Sequence, residues 1–288
     1  MTEEARAASH EKRKCGFKFQ PVRPRAIKIP RAELLNFKGL PMPMPRAVSD
    51  RLGNTSIIIG IDCETNDWLE DTQGHIGPFG WYTKNNNASF ARIVQLGWVV
   101  GDANVEAEVV AKSALIQPQG YEISRKATDY HKITQDIALQ NGRALADVLK
   151  EFMTDISQAH ARGGRICAHH LEFDAGLVDE ELRRCGLSTL REEWAHMARG
   201  GYCTMNPEVS RWLKQCAGED VGAETKKHML GLIRTTQELG LPQGKLQSGH
   251  HDAAHDAQMT RLIYAALLQR AGSPQSSTPS ASSEQTKE

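Results

Sequence analysis

The sequence predicts an α/β domain in which helices cover both sides of a mixed β-sheet. Three observations lead to this fold class. Short apolar runs rich in β-branched residues open the body of the chain, amphipathic helical stretches follow them, and a further strand lies between two of those helices. The short connections between the first three strands favour an antiparallel meander. A crossover helix then brings the fourth strand in parallel to the first.

Four strands are predicted in order along the chain. Residues Ile57–Ile61 form a continuous β-branched run, which is typical of a central strand buried on both faces. The next two strands are expected at Arg92–Gly101 and Glu108–Ile116, with a turn near Gly101. The fourth is RICAHH, residues 165–170.

The helices are predicted from apolar residues that recur at helical spacing. This spacing is clearest at Asp147–Ala161 and Phe173–Cys185, on either side of the fourth strand. Further helices are expected near Pro207–Cys216, at Glu224–Leu239 and from about Ala253 to Arg270.

Charge and composition divide the chain into three parts. Residues 1–54 form a basic, Pro-rich N-terminal extension that we expect to be largely irregular, because residues 1–50 hold eleven Lys or Arg against five Asp or Glu and half of the prolines. Such an arm can contact nucleic acid, but we favour a solvated, disordered leader. Residues 55–271 form the main domain, and residues 272–288 a disordered Ser/Pro-rich tail.

The overall composition, 40% hydrophobic and 24% charged with zero formal net charge, is that of a globular protein. No apolar run approaches a membrane span, and no signal peptide is visible. Glu3, Glu4 and Glu11 argue against a transit peptide. None of the six cysteines forms a CxxC pair, and Cys63 and Cys167 lie in apolar stretches, so we expect free thiols in a reducing compartment. The sequence predicts an intracellular, soluble protein, in the cytoplasm or the nucleus.

The first candidate site residues are Asp62 and Glu64, two positions apart at the end of the first strand. Alternate side chains of a strand point to the same face, so both carboxylates face one way and Cys63 faces the opposite layer. Paired carboxylates repel each other unless a cation lies between them. Oxygen ligands suit Mg²⁺ or Mn²⁺. A pair of solvated strand-end acids fits this short pattern as well.

Two further acids follow later in the chain. Asp174 is expected in the first turn of the helix after the fourth strand, where the helix dipole favours a carboxylate. Because the carboxyl ends of parallel strands meet at one sheet edge, Asp174 can share a site with Asp62 and Glu64. Asp256 lies in the last helix, five residues after His251. Five helical steps do not return to the same face, so His251 must lie at the helix start or in the preceding loop.

Together these residues resemble the motifs of the DEDDh-type 3′→5′ exonucleases, a family that includes ribonuclease T, oligoribonuclease and polymerase proofreading subunits. The three matching segments are Asp62-x-Glu64-Thr65, His169-x-x-x-Phe173-Asp174 and His251-x-Ala253-x-x-Asp256-Ala257. Between them, Tyr130–Thr134 (YHKIT) resembles the family's H-G-I-T segment, with Lys132 replacing Gly. The resemblance covers roughly residues 57–268. Position 252 is Asp, whereas the sister group of the family has Tyr there.

The resemblance implies an RNase H-like fold with a mixed five-stranded sheet, and residues 55–271 become the exonuclease domain. It also implies two divalent ions, Mg²⁺ with Mn²⁺ as the alternative, roughly 3.5–4 Å apart. The implied metal ligands are Asp62, Glu64, Asp174 and Asp256. His251 is the implied general base, and Thr65 and Phe173 are the implied substrate-binding residues.

The implied activity is hydrolysis of terminal phosphodiester bonds of DNA or RNA, with release of nucleoside 5′-monophosphates. Single-stranded 3′ ends are the favoured substrate. A homodimer is an open alternative, because many members of the family dimerise.

Two departures from the family pattern stand out. His170 replaces the usual Asn, and we expect it to tune activity without abolishing it. The segment between the first two strands, residues 66–91, is longer than usual. It carries aromatic residues that could stack on bases or cover the sheet edge, namely Trp68, Phe79, Trp81 and Tyr82.

Two other functions are compatible with parts of the sequence. His251 and His255, at i and i+4, resemble the zinc-binding helix of metalloproteases. That hypothesis offers no third ligand and leaves the other acids unexplained. The second is a non-catalytic nucleic-acid-binding domain on the same fold, which is disfavoured because all five functional positions are occupied.

Overall fold

The computed structural model describes residues 25–26, 40–67, 91–103, 110–221, 229–241 and 251–272. Three parts of the chain lie outside these ranges: the Ser/Pro-rich tail beyond residue 272, most of the N-terminal extension, and residues 68–90, which include Trp68, Phe79, Trp81 and Tyr82. Within them, no helix combines the length and apolar character that crossing a membrane requires.

The described residues form one mixed sheet of six strands in the order β1-β4-β3-β2-β5-β6. The strands are β1 Arg25–Ala26, β2 Ile57–Thr65, β3 Ile93–Asp102, β4 Val110–Leu115, β5 Arg165–Ala168 and β6 Tyr202–Cys203. As predicted, β2, β3 and β4 pair antiparallel and β5 pairs parallel to β2. The α/β class with a mixed sheet is confirmed, and the count exceeds the expected five once the two-residue β1 and β6 are included.

Nine helices surround this sheet in the described ranges. They are α1 Arg46–Leu52, α2 Arg125–His131, α3 Gln135–Asn141, α4 Leu145–Ala161, α5 Leu171–Arg184, α6 Ser188–Arg199, α7 Pro207–Cys216, α8 Leu232–Glu238 and α9 Ala253–Gly272. The predicted α4, α5, α7 and α9 are present, whereas α1, α2, α3 and α6 were not predicted.

Three predicted boundaries are corrected. The strand expected to reach His170 ends at Ala168, because the chain turns there into α5. The first strand continues from Ile61 to Thr65, because its pairing with β3 extends that far. The helix expected at Glu224–Leu239 is observed only from Leu232 to Glu238. Residues 229–231, before it, are not helical, and residues 222–228 lie outside the described ranges.

The sheet separates two hydrophobic cores. Ile59 and Ile61 of β2 face the core formed with α4, α5 and α6, in which the rings of Trp98, Phe152 and Trp194 pack together. The alternate residue Ile58 faces the core formed with α1, α7, α8 and α9. Strand alternation therefore assigns even-numbered β2 residues to the α9 side.

Two glycines let α9 lie directly on the sheet. A Cβ on Gly60 would come within 2.3 Å of the Ala257 carbonyl oxygen, and one on Gly97 within 2.2 Å of the Ala253 carbonyl carbon. Only a residue without a side chain permits this approach. The first turns of α9 are consequently fixed above β2 and β3.

The last part of the predicted N-terminal extension packs on the domain. Val48 and Leu52 of α1 are buried in the α9 core. The Arg165 guanidinium donates hydrogen bonds to the carbonyls of Arg51 and Leu52 and, at 2.9 Å, to the Tyr264 hydroxyl. Residues 46–52 are therefore helical and belong to the folded body.

Candidate functional site

Four carboxylates line one cavity of about 500 Å³. Asp62 and Glu64 come from β2, Asp174 from the first turn of α5 and Asp256 from the first turn of α9. The structure thus brings together the four acids singled out in the sequence, although up to 194 positions separate them.

The central pair is oriented by the strand. Asp62 and Glu64 share the face of Gly60, toward α9, while Cys63 lies in the opposite core. The Cys63 backbone N–H donates a 3.0 Å hydrogen bond to Asp174 Oδ1. This bond ties the start of α5 to β2 between the two acids.

The start of α9 is tied to the sheet by Gln95, which lies opposite Glu64 in the β2–β3 pairing. Gln95 Oε1 accepts the Ala253 N–H at 3.1 Å, and Gln95 Nε2 donates to Asp252 Oδ2 at 3.3 Å. Asp252 caps the helix by accepting the His255 N–H at 3.1 Å. Sequence reasoning missed Gln95; its only signal is a polar residue within an apolar strand.

Three of the four acids have no basic side chain at salt-bridge distance within the described ranges. Burial, followed by the neighbouring charges of Asp174, Asp256 and Glu64, holds the pKa of Asp62 well above its usual value. Burial and then Asp256 raise the pKa of Glu64 to about 7. Burial and the Glu64 charge raise the pKa of Asp174 to about 8, against the opposing effect of the Cys63 N–H. A buried cluster of like charge is stabilised by a cation.

Asp256 differs because two histidines bind it. His251 Nδ1 donates to Oδ2 at 3.0 Å and His255 Nδ1 donates to Oδ1 at 3.3 Å. Burial acts to raise the pKa of Asp256, but these hydrogen bonds outweigh it and the pKa is lowered. The same contact outweighs the burial of His251 and raises its pKa.

His251 lies immediately before the cap residue Asp252, which agrees with the predicted place at the helix start. Because its Nδ1 donates to Asp256, the neutral ring carries its unprotonated lone pair on Nε2, a tautomer assigned from the hydrogen-bond partners. A base with this arrangement is oriented by one nitrogen and accepts a proton on the other.

The donor set fits a divalent cation. Glu64, His251 and Asp256 each offer a ligand atom, and these atoms lie within 4.8 Å of one another. Carboxylate oxygens are the ligands that Mg²⁺ and Mn²⁺ prefer. His255, the second ligand of the zinc hypothesis, is not part of this group.

The cavity wall at residues 231–234 is held by a buried histidine. His169 Nε2 donates to the Leu230 carbonyl at 3.1 Å, and the Leu230 N–H donates to Ser210 Oγ at 3.0 Å. Burial lowers the pKa of His169 to about 4. His169 therefore supports the wall as a neutral ring, at the residue that precedes the N-cap Gly231 of α8.

The two predicted substrate-binding residues lie in different surroundings. Phe173 lines the cavity and stacks on His170 with ring centroids 5.8 Å apart. Thr65 is not part of the lining, and its hydroxyl donates to the Asp67 carbonyl at 3.0 Å. Tyr130, which sequence reasoning did not select as a site residue, also lines the cavity and stacks on His251.

No protein-family model and no curated protein matches the sequence. Solved structures of exonuclease I do match. E. coli exonuclease I in complex with a dT13 oligonucleotide has a TM-score of 0.52 and 14% identity, over 75% of this chain and 41% of that one. The apo exonuclease I structure gives 0.51 and 15%, over 75% and 43%. The E. coli enzyme with a dA16 oligonucleotide gives 0.50 and 16%, over 75% and 41%.

The chain spans less than half the length of these exonuclease I chains. At such identities the likeness establishes the fold alone. The fold is RNase H-like, as predicted, and it is the fold on which exonuclease I is built.

Proposed function

We propose that this protein is a divalent-metal-dependent 3′→5′ exonuclease that removes nucleoside 5′-monophosphates from DNA or RNA. The observation that carries the proposal is the convergence of four carboxylates from three separate elements on one cavity, three of them without a basic partner in the described ranges. The exonuclease I fold supports it.

Asp62, Glu64, Asp174 and Asp256 would hold the metal, with Mg²⁺ the best match to their oxygen atoms. A bound divalent cation lowers the pKa of a water molecule and offsets charge on the phosphate. The chain contributes the fixed positions of its carboxylates, because each is anchored by its own element: β2, the Cys63 N–H, and the capped start of α9.

His251 would act as the general base. Its Nδ1 is engaged by Asp256, so Nε2 takes the proton of the attacking water. The water oxygen forms a bond to the terminal phosphorus, and the bond from phosphorus to the 3′ oxygen breaks. The 3′ oxygen takes up a proton, which leaves a shortened strand with a 3′ hydroxyl and one nucleoside 5′-monophosphate.

A single-stranded 3′ end is the substrate that we propose. Phe173 and His170 present stacked rings on the cavity lining, and such rings bind bases of any sequence. A contact between Thr65 and the terminal nucleotide remains a prediction. Because its hydroxyl donates to the Asp67 carbonyl, such a contact would use the hydroxyl oxygen as the acceptor.

The test is hydrolysis of single-stranded DNA, single-stranded RNA and duplexes, each 5′-labelled to display the ladder of shortened products, with Mg²⁺ or with EDTA. We expect stepwise shortening from the 3′ end with Mg²⁺ only. Asp62→Asn should abolish it, and His251→Ala should reduce it by about 10²–10⁴-fold. Tight binding of 3′ ends without any product would instead support the non-catalytic alternative.

A further inference from the structure

We propose that Tyr130 is a positioning residue that holds the His251 ring in the orientation from which Nε2 accepts the proton of water. This inference rests on the proposed function and adds a residue to its machinery. The Tyr130 and His251 rings lie 3.9 Å apart between centroids, with 15° between their planes. Both residues line the cavity.

The hydrogen bond to Asp256 cannot fix the ring of His251 by itself. A single N–H···O contact restrains the position of Nδ1 but leaves rotation about the bond direction. His251 also precedes Asp252, so it lies outside the hydrogen-bond ladder of α9. A face-to-face contact with Tyr130 restrains the remaining rotation, because it defines the plane of the imidazole.

Tyr130 can serve this role because its backbone is tied to the strand that carries the acids. The next residue, His131, is buried, and its Nε2 donates to the Thr65 carbonyl at 3.0 Å. Its Nδ1 accepts the Ile133 N–H at 3.0 Å. The end of α2 is thereby attached to β2 one residue beyond Glu64, which sets the Tyr130 ring in register with the acids.

The functional test is a double-mutant cycle measured as kcat and KM on single-stranded substrate at saturating Mg²⁺. We expect Tyr130→Ala to lower kcat by roughly 10-fold with little change in KM, which is the upper range for one aromatic pair. Tyr130→Phe should recover most of the rate, because it retains the ring.

In the His251→Ala background, Tyr130→Ala should cause no further loss. An equal loss in both backgrounds would show that Tyr130 acts on substrate or on stability instead, and would overturn the inference. So would a Tyr130→Ala enzyme as fast as the wild type.

A second measurement needs neither metal nor turnover. In the metal-free protein, the Cε1 and Cδ2 protons of His251 should show an upfield ring-current shift in NMR spectra, retained in Tyr130→Phe and lost in Tyr130→Ala. An active wild type with an unshifted His251 would overturn the positioning role alone. An inactive wild type with the shift present would overturn the proposed function while the stack stands.

Discussion

Helix α5 carries buried acids near both of its ends, and the two groups of acids differ in whether arginine side chains pair with them in the described ranges. Near its C-terminal end, Arg191 binds both oxygens of Asp179 at 2.9 Å. Glu181 Oε1 forms ion pairs with Arg92 Nε at 2.8 Å and with Arg184 Nη1 at 3.2 Å.

At the start of the same helix, Asp174 is also buried, but it accepts the Cys63 N–H and has no basic side chain at salt-bridge distance within the described ranges. Asp62 and Glu64 beside it have no basic partner in the described ranges either. Ionised carboxylates in a protein interior are costly unless paired. Within the described ranges, the buried acids near the C-terminal end of α5 have arginine partners, whereas Asp62, Glu64 and Asp174 at the cavity have none, and we expect a bound cation to supply the compensating charge there.

The largest test of this difference compares two conservative changes on α5. Asp174→Asn preserves an oxygen for the Cys63 N–H but removes a proposed metal ligand. We expect activity to fall by about 10³-fold, because several kcal/mol of metal-derived stabilisation are lost, while folding is retained. Asp179→Asn is the matched control. It should leave activity within about twofold and cost roughly 1 kcal/mol of stability, since its pair is partly exposed. Comparable activity of the two variants would remove the distinction.

A change near the C-terminal end of α5 should lower the free energy of unfolding. Glu181→Gln leaves Arg92 and Arg184 without their shared negative charge, and we expect a loss of about 3 kcal/mol in the free energy of unfolding. Chemical denaturation at pH 7 measures it. The activity per folded molecule should not change. A stability equal to wild type would mean that this pairing contributes nothing net.

The pH dependence of metal-free stability tests the cavity end. In the folded chain the pKa of Glu64 is about 7 and that of Asp174 is about 8. Both acids therefore still hold protons at pH values at which the unfolded chain has released them. Stability should therefore fall as pH rises from 6.5 to 8.5. His251, whose pKa is raised, contributes in the same direction.

Mg²⁺ should restore this loss, and more so at pH 8.5 than at pH 6.5, because ions replace protons on the acids. At a concentration of 100 times Kd the gain is about 2.7 kcal/mol. Thermal unfolding with Mg²⁺ or EDTA measures both effects, and Asp174→Asn should flatten the slope. Stability that rises over this window without metal would contradict the unpaired state of the acids.

The smallest expected effect concerns the support of Asp256. Gln95→Leu removes the acceptor of the Ala253 N–H and the partner of Asp252. We expect about a tenfold increase in the Mg²⁺ concentration needed for half-maximal activity, at the lower end for residues that orient metal ligands. Gln117→Leu is the control, because Gln117 is an exposed glutamine that donates to the Leu139 carbonyl away from the acids. An unchanged Mg²⁺ requirement would leave Gln95 with a purely structural role.

The sequence by itself determined the elements with strong local periodicity. The apolar run of β2 and the helical spacing of α4, α5 and α9 identify these elements, because burial on one face imposes a period that neighbouring residues display. The order of strands and helices also placed Asp62, Glu64 and Asp174 at one sheet edge, and the family resemblance added Asp256. Short helices such as α2 and α3 were not predicted, because seven residues span only about two helical turns. Their cap residues, Ser124 and Thr134, are also common in ordinary turns.

Only the tertiary structure decided how the site is held. The Cys63–Asp174 bond joins residues 111 positions apart, the Gln95–Asp252 bond residues 157 apart, and the His169–Leu230 bond residues 61 apart. The Tyr130–His251 stack likewise joins two distant segments. No local pattern encodes such pairs, since each member is compatible with many surroundings, and only the packing of α2, α5 and α9 against β2 and β3 brings the partners within contact distance.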